Sequence, residues 1–418
     1  MTKLSKEIKP FTLYILTLNA ILGTGIFFLP ALGALYAGPA SLISWIIISI
    51  ISIFISAYFG ELVSMFPRSG GIFEFVKNSF GEKTTFFVGW TSWIVANITT
   101  AMLVVGALTY LYSELPLVWN VLIAIAFILL FNFINYKGIR NSSKMLLLFG
   151  FITLSVLISL IIPGLVNTNI NNFYPFFIFP FSSIFIAMFY IAETFFGWET
   201  TTFLAEEAKN ASKVLPKILI LATATIAVLG ILLTIAGIGV LGWETFSASK
   251  IPMSTLAAHL FGEFHHIFSI LIFITIMGSA AGWIVSSPRL LYAMARDNLF
   301  IKNVEKVHKK YKTPHFAILL QTLVTCIVTL IAFANYRTLL SLLMPLVLII
   351  YSFVLASIFK LRKSKHKRFF NAPLKSIIPP LLILFNIYLI CVWFSQPESF
   401  HLIGLDILLI LSGIPAYI

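Results

Sequence analysis

Two acidic residues stand inside a stretch that is otherwise apolar and aromatic. Glu193 and Glu199 flank Gly197 in the segment FYIAETFFGWETTTF, residues 189–203. A buried carboxyl group can pair with a cation or exchange a proton. At the centre of a bilayer an ionised carboxylate costs about 3 kcal/mol or more, so each is expected to face a cavity or a partner. The segment therefore predicts a polar site inside an apolar protein.

A second unusual segment lies near the start of the chain. NAILGTGIFFLP, residues 19–30, interrupts an apolar run with Gly23, Thr24 and Gly25 and then with Pro30. A broken membrane helix frees backbone polar groups, which are tolerated only where they face protein or a water-filled cavity. Freed N–H groups attract an anionic group, and freed carbonyls attract a cation. The alternative interpretation is a kinked helix that packs through its glycines.

The composition places both segments in a membrane. The 418 residues are 59% hydrophobic and only 10% charged, and the mean hydropathy is +1.00. Because a membrane helix needs about 20 apolar residues, the apolar runs predict an all-α, polytopic membrane protein with about twelve transmembrane helices. The predicted spans cover residues 12–36, 39–64, 84–112, 117–136, 143–163, 182–206, 216–241, 265–295, 315–334, 337–360, 374–395 and 400–417.

Basic residues fix the expected orientation. With the N-terminus inside, all of the 28 Lys and Arg residues except Lys250 and Arg337 fall in cytoplasmic loops. This bias predicts a multi-pass protein of the cell (cytoplasmic) membrane with cytoplasmic N- and C-termini. We interpret residues 1–10 as a cytoplasmic leader rather than a cleaved signal. The net charge of +13 reflects topology and contact with membrane lipid, and no nucleic-acid partner is expected.

The two interrupted spans occupy matching positions in the chain. Spans 1 and 6 each open a set of five, and interrupted helices in corresponding positions point to an inverted-repeat transporter site. The sequence thus predicts a single transporter domain over residues 1–418 with a five-plus-five inverted repeat. The repeats would cover residues 12–163 and 182–360, with two accessory helices in 374–417. No phosphate-binding loop, nucleophile motif or metal-ligand spacing occurs, so neither an enzyme nor a cofactor is expected.

Four motifs resemble one known family when they are taken in order. They are GTGIFFLP at 23–30, GELVSMFPRSGGIFEF at 60–75, FFGWETTTFLAEEAKN at 195–210 and SAAGWIVSSPRLLYAMARDNLF at 279–300. Over residues 10–320 the chain resembles the amino acid–polyamine–organocation transporter superfamily. Within it, the chain looks like an amino acid permease nearest the basic amino acid and polyamine antiporter branch.

The resemblance implies a substrate cradle at the first break. Thr24 and Gly25 would offer backbone N–H groups, and Thr24 its hydroxyl, to the α-carboxylate of a substrate. The carbonyl of Ile21 would accept from the α-amine, together with those of Phe195 and Phe196. These roles agree with the charge that a helix break presents at its two ends.

Four more positions gain roles from the resemblance. Trp283 matches an aromatic gate position of the arginine/agmatine exchangers, and Asn97 matches a substrate-facing Asn there if the alignment has no gap. Glu199 stands where that branch has an acid associated with proton or cation handling. Glu193 replaces the aromatic gate common in the family. Its carboxylate could meet a cationic side chain or take up a proton.

The coupling ion stays open. Proton-coupled permeases of this superfamily often have a lysine in the middle of helix 5, where this chain has Thr153. Thr153 and Ser279 could hold sodium with their hydroxyl oxygens. Exchange without an ion, or protonation of a helix 6 glutamate, fits as well.

The expected function is secondary active transport of a small-molecule substrate. The two glutamates favour exchange of cationic amino acids or amines. A proton- or sodium-coupled permease for neutral amino acids is the alternative. A non-transporting amino acid sensor is a more distant one. A homodimer is a further hypothesis.

Overall fold

The computed structural model describes residues 9–67, 71–114, 116–137, 142–203, 205, 208–364, 366–374, 377–397 and 399–417. Residues 68–70, 204, 206 and 207, which belong to two of the motifs above, lie outside these ranges. The described residues form α-helices and short 3-10 turns without a strand, which confirms the predicted all-α class. The helices are α1 Pro10–Ile21, α2 Gly25–Ala37, α3 Ser41–Met65, α4 Ile72–Lys77, α5 Glu82–Leu111, α6 Leu117–Lys137, α7 Ser142–Val166, α8 Ser183–Ile191, α9 Trp198–Phe203, α10 Ala211–Leu241, α11 Trp243–Ala248, α12 Pro252–Phe261, α13 His265–Arg296, α14 His315–Ile331, α15 Tyr336–Leu361, α16 Ile378–Phe394 and α17 Ser399–Leu411.

The apolar helices are those of a polytopic membrane protein. Among the described residues, eight helical stretches are long and apolar enough to cross a membrane. Three shorter apolar helices, α1, α14 and α16, accompany them. The total of twelve spans stays a prediction, because α1, α14 and α16 are each too short to count as a membrane-crossing helix by length.

The first predicted span is divided into α1 and α2. The N–H of Leu22 still donates to the carbonyl of Leu18 at 2.7 Å, as in an α-helix. The next N–H, that of Gly23, turns to the carbonyl of Ile21 at 2.8 Å, which ends the helix. A new helix begins at Gly25. The interruption therefore lies at residues 22–24.

The sixth predicted span is divided in the same way. Helix α8 ends at Ile191 and continues as a 3-10 turn, Ala192–Phe195. Phe196 is extended, with φ −80° and ψ 153°. Gly197 then takes φ +118°, a conformation that suits a residue without Cβ. Helix α9 starts directly after it.

The two broken spans lie side by side and run in opposite directions. Helix α1 packs on α9, and α2 packs on α8, so the breaks meet. The unbroken helices enclose them in pairs, with α3 on α10, α5 on α13 and α6 on α14. Helices α16 and α17 pack on α15, and they also contact α8 and α5 respectively.

A buried ion pair ties α3 to the segment after α15. The carboxylate of Glu61, which is fully buried, accepts from Nε and Nη2 of Arg362 at 2.7 and 2.5 Å. It also accepts from the N–H of Ala372 at 2.8 Å. The hydrogen bonds that Arg362 donates to Glu61 raise the pKa of its guanidinium above its usual range.

Replacement of Glu61 by Gln is expected to destabilise the protein, because it leaves the guanidinium of Arg362 without its counter-ion. Loss of one partner of a buried ion pair typically costs about 3–5 kcal/mol. The apparent melting temperature of the purified protein in detergent measures the effect.

The exposed ion pair between Glu114 and Lys250 provides the control. Its N–O distance is 3.0 Å, and the Glu114 side chain is 80% exposed. Glu114→Gln should leave the melting temperature unchanged, because exposed pairs contribute little. Equal melting temperatures for the two variants would contradict a stabilising role for Glu61.

Candidate ligand site between the broken helices

Gly197 brings the second break into contact with the first. A Cβ at this position would lie 2.9 Å from the carbonyl oxygen of Ala20 and 3.3 Å from Cα of Ile21. Real Cβ atoms do not approach so closely to backbone. Only glycine therefore fits between the end of α1 and the start of α9.

Gly25 makes the matching contact from the other side. A Cβ there would overlap Oε2 of Glu193 and lie 2.8 Å from Cα of Thr194. The carboxyl group of Glu193 thus reaches the first residue of α2. Gly25 and Glu193, which the sequence analysis placed in one site, lie in direct contact.

The start of α2 presents free donors at this point. The N–H groups of Thr24, Gly25 and Ile26 donate to no carbonyl or side chain in the described ranges, because the ladder begins with Phe27. The first N–H groups of a helix have no partner inside that helix. The dipole adds a partial positive charge of about half an elementary charge. The arrangement suits an anionic or polar ligand group, as expected for Thr24 and Gly25.

Several side-chain polar atoms converge at the breaks without a hydrogen-bond partner among the described residues. They are Oγ1 of Thr24, Oε2 of Glu193, Oγ1 of Thr194 and the hydroxyl of Tyr336. The hydroxyls of Thr24 and Tyr336 lie close to each other. Thr24 and Tyr336 both lie against Gly106 of α5. Glu193 is only 7% exposed. Because buried polar groups normally have partners, such a cluster indicates a site for a polar ligand.

Two small neighbouring cavities lie beside this cluster. The smaller one is lined by Ile21 and Gly23 from the first break and by Glu193 and Phe196 from the second. Four residues line both cavities, namely Val95, Glu199, Trp283 and Val347. The predicted site residues Ile21, Glu193, Phe196, Glu199 and Trp283 are therefore brought together.

Glu199 lies between the two cavities and has a partner that the sequence analysis missed. Its Oε2 accepts from the hydroxyl of Tyr351 on α15 at 2.9 Å. The ring of Tyr351 stacks on Trp198, with centroids 5.3 Å apart. Since α15 lies far from α9 in sequence, no local pattern could have indicated this pair.

Phe195 and Phe196 point in different directions. The ring of Phe195 is buried against Trp45 of α3, with centroids 6.2 Å apart. The ring of Phe196 lines the cavity and contacts Tyr351 edge-on at 5.3 Å. Neither carbonyl accepts a hydrogen bond from a residue that the structure describes. Both carbonyls therefore remain free for an amine, the role that the resemblance implies.

Asn97 is not brought to either cavity. Its Nδ2 donates to the carbonyl of Trp93 at 2.7 Å, and its Oδ1 accepts from Thr325 on α14 at 2.7 Å. The cavity face of α5 instead carries Val95 and Thr99. With 3.6 residues per turn, position 97 points away from that face. The side chain of Asn97 joins α5 to α14, and its predicted contact with a substrate stays a prediction.

The two candidate sodium ligands differ in position. The hydroxyl of Ser279 on α13 donates to the carbonyls of Asn19 and Leu22 at 3.0 and 3.1 Å, which places it at the end of α1. The hydroxyl of Thr153 donates to the carbonyl of Phe149 in its own helix at 2.9 Å. Ser279 is thus part of the break, while the hydroxyl of Thr153 is engaged within α7.

Comparisons with known proteins cover nearly the whole chain. A family model described as "Amino acid permease" matches residues 8–412. The branched-chain amino acid permease of Bacillus subtilis is 27% identical, over 93% of this chain and 88% of that protein. The serine/threonine exchanger of the same organism is 25% identical, over 99% and 96%. The methylthioribose transporter of Bacillus subtilis is 25% identical, over 94% of this chain and 88% of that protein.

Replacement of Gly197 by Ala should disturb the contact between the breaks, because the new Cβ meets backbone and the φ of +118° strains an L-residue. Overpacking of this kind typically costs about 1–3 kcal/mol. The apparent melting temperature in detergent should fall by several degrees. Gly404→Ala is the control, because nothing lies within 4 Å of its Cβ position. Equal melting temperatures for the two variants would show that the breaks do not touch.

Proposed function

The chain belongs to the amino acid permease family of the amino acid–polyamine–organocation superfamily, and from this premise we propose that it exchanges cationic amino acids or related amines. Membership establishes that the chain is a multi-pass membrane transporter of amino acids and not an enzyme. The proposed substrate class rests on one observation. Two buried carboxyl groups, Glu193 and Glu199, line the cavity beside the broken helices.

The carboxyl groups favour a cation because the cavity is otherwise apolar. Its lining includes Val95, Leu103 and Leu343, which provide no competing charge. In such surroundings the attraction between opposite charges is several times stronger than in water. A cationic substrate would therefore gain most from contact with Glu193 and Glu199. Exchange itself is supported by the printed name of one relative, the serine/threonine exchanger.

The packing of the helices supports transport by alternating access. Helices α3 and α10, α5 and α13, and α6 and α14 are partners, as members of two five-helix repeats would be. The broken spans lie between these pairs. We propose that the repeats rock around the breaks and expose the site to each side in turn. The orientation with cytoplasmic termini, the cell-membrane location and the homodimer remain predictions.

A coupled permease for neutral amino acids is the second candidate. The apolar lining of the cavity suits an aliphatic side chain, and one relative is named a branched-chain amino acid permease. The carbonyls of Asn19 and Leu22, which face the hydroxyl of Ser279, offer the hard oxygen ligands that sodium prefers. Under this reading Ser279 would turn its lone pairs toward the ion.

Counterflow in proteoliposomes separates these candidates. Vesicles are preloaded in turn with unlabelled arginine, lysine, a diamine, leucine or alanine, and labelled substrate is added outside, with sodium or with choline. The proposal predicts accumulation driven by basic amino acids or amines and independent of sodium, because the site itself supplies the negative charge. Accumulation with neutral amino acids alone would contradict it, and binding without any flux would indicate a sensor.

Glu199 is proposed to handle the proton, because it lies between the cavities and Tyr351 donates to it. Glu199→Gln should flatten the dependence of uptake on pH. Tyr351→Phe, which keeps the carboxyl group, should move the profile without flattening it. Glu244→Gln, at an exposed position of α11, is the control. A Glu199→Gln profile with the wild-type shape would remove Glu199 from coupling.

A further inference from the structure

We propose that the carboxyl group of Glu193 occupies the position of a substrate carboxylate beside the α2 N-terminus, and that it makes the transporter prefer an amine to the amino acid with the same side chain. The inference rests on the proposed function, since it concerns the same site. It goes further because it names the substrate group that the site disfavours. The protein itself already places a carboxyl group, that of Glu193 in the turn between α8 and α9, where the carboxylate of an amino acid would bind.

The position of Glu193 carries the inference. Its Oε2 occupies the space that a Cβ of Gly25 would fill, at the first turn of α2. Three N–H groups of that turn have no partner among the described residues. A helix N-terminus with free N–H groups is the usual place for a carboxylate or phosphate. The carboxyl group of Glu193 lies at that place, although no hydrogen bond joins its Oε2 to a described residue.

Glu193 also has no basic side chain as a partner among the described residues. No ion pair joins it to a Lys, Arg or His in the part of the chain that the structure describes. The groups near it are neutral hydroxyls, those of Thr194, which lies beside it at Gly25, and of Tyr336, which faces Thr24. Arg337, which follows Tyr336, donates to the hydroxyl of Tyr36. The carboxyl group of Glu193 is therefore available to a cation in the cavity that it lines.

A substrate carboxylate has to compete with this side chain. Both groups would occupy the same space beside Thr24 and Gly25, and two carboxylates in one small site repel each other. A tethered group competes strongly, since its effective concentration is on the order of millimolar or more. An amine without a carboxylate avoids this competition, and its ammonium group can pair with Glu193. The cradle thus selects against the α-carboxylate.

Matched pairs of competitors test the inference. Each pair differs only in the α-carboxylate, as in arginine and agmatine, lysine and cadaverine, or leucine and isoamylamine. Inhibition of labelled counterflow gives one half-inhibitory concentration for each compound, and the ratio within a pair cancels the contribution of the side chain. The wild-type protein should favour the amine by roughly tenfold or more, the size expected of a hydrogen-bonded charge pair.

Variants at position 193 should reverse that ratio. Glu193→Ala empties the cradle and should move each ratio at least tenfold toward the amino acid. Glu193→Gln keeps the shape but not the charge, so it should lose the preference for the amine. Glu244→Ala, on the exposed face of α11, should keep the wild-type ratio. If the ratios did not change on replacement of Glu193, or if the wild-type protein preferred the amino acid, the inference would be overturned while the proposed exchange stayed intact.

A measurement on the wild-type protein removes any dependence on how the variants fold. The methyl ester of each amino acid keeps the α-amine and the side chain but neutralises the carboxylate. The ester should compete like the amine and at least about tenfold better than the free amino acid. Esters that compete no better than the free acids would contradict the role of Glu193. Absence of counterflow with both members of every pair would instead overturn the proposed exchange together with this inference.

Discussion

The contact between the two broken helices is the interaction on which the site depends. Gly197 lies against the backbone of Ala20 and Ile21, and Gly25 lies against Glu193 and Thr194. Each break frees polar backbone groups, which would be prohibitively costly in lipid. Facing each other inside the bundle, the breaks keep these groups away from lipid and direct them at one place. The surrounding helices serve to hold the two breaks at this distance.

The buried carboxyl groups show how the same chemistry serves different ends. Glu61 is fully paired with Arg362 and the backbone of Ala372, so it stabilises a fixed connection between helices. Glu199 has only neutral donors, the hydroxyl of Tyr351 and nearby backbone N–H groups, and it borders the cavities. Glu193 keeps an oxygen without a partner among the described residues, directly at the start of α2. The fewer partners the protein provides, the more of the charge is left for a ligand.

The sequence alone predicted the features that depend on local chemistry. Glycines inside apolar runs indicated both breaks, and the cost of a charge in a membrane drew attention to Glu193 and Glu199. Ser279 was expected near the site and lies at the end of α1. The all-α class followed from hydropathy in the same way. These features depend on a residue and its neighbours in the sequence.

What the sequence missed depends on how helices are rotated against distant partners. Asn97 bonds to Thr325 of α14 rather than facing the cavity. Val95 and Thr99, each two positions away on the same helix, line the cavity instead. Tyr351 reaches Glu199 from another helix, across 152 positions of the chain. No pattern within α5, α9 or α15 encodes which faces meet. Such contacts follow from packing, which one sequence does not show.

The most direct test of the account is a cryo-EM structure of the protein in lipid nanodiscs with the ligand that drives the strongest counterflow. The account predicts ligand density between the first turn of α2 and Phe196. The ammonium group should lie within about 4 Å of Glu193, as in an ion pair. Ligand density away from both breaks, or a ligand carboxylate on the α2 N-terminus with Glu193 turned out of the cavity, would contradict it.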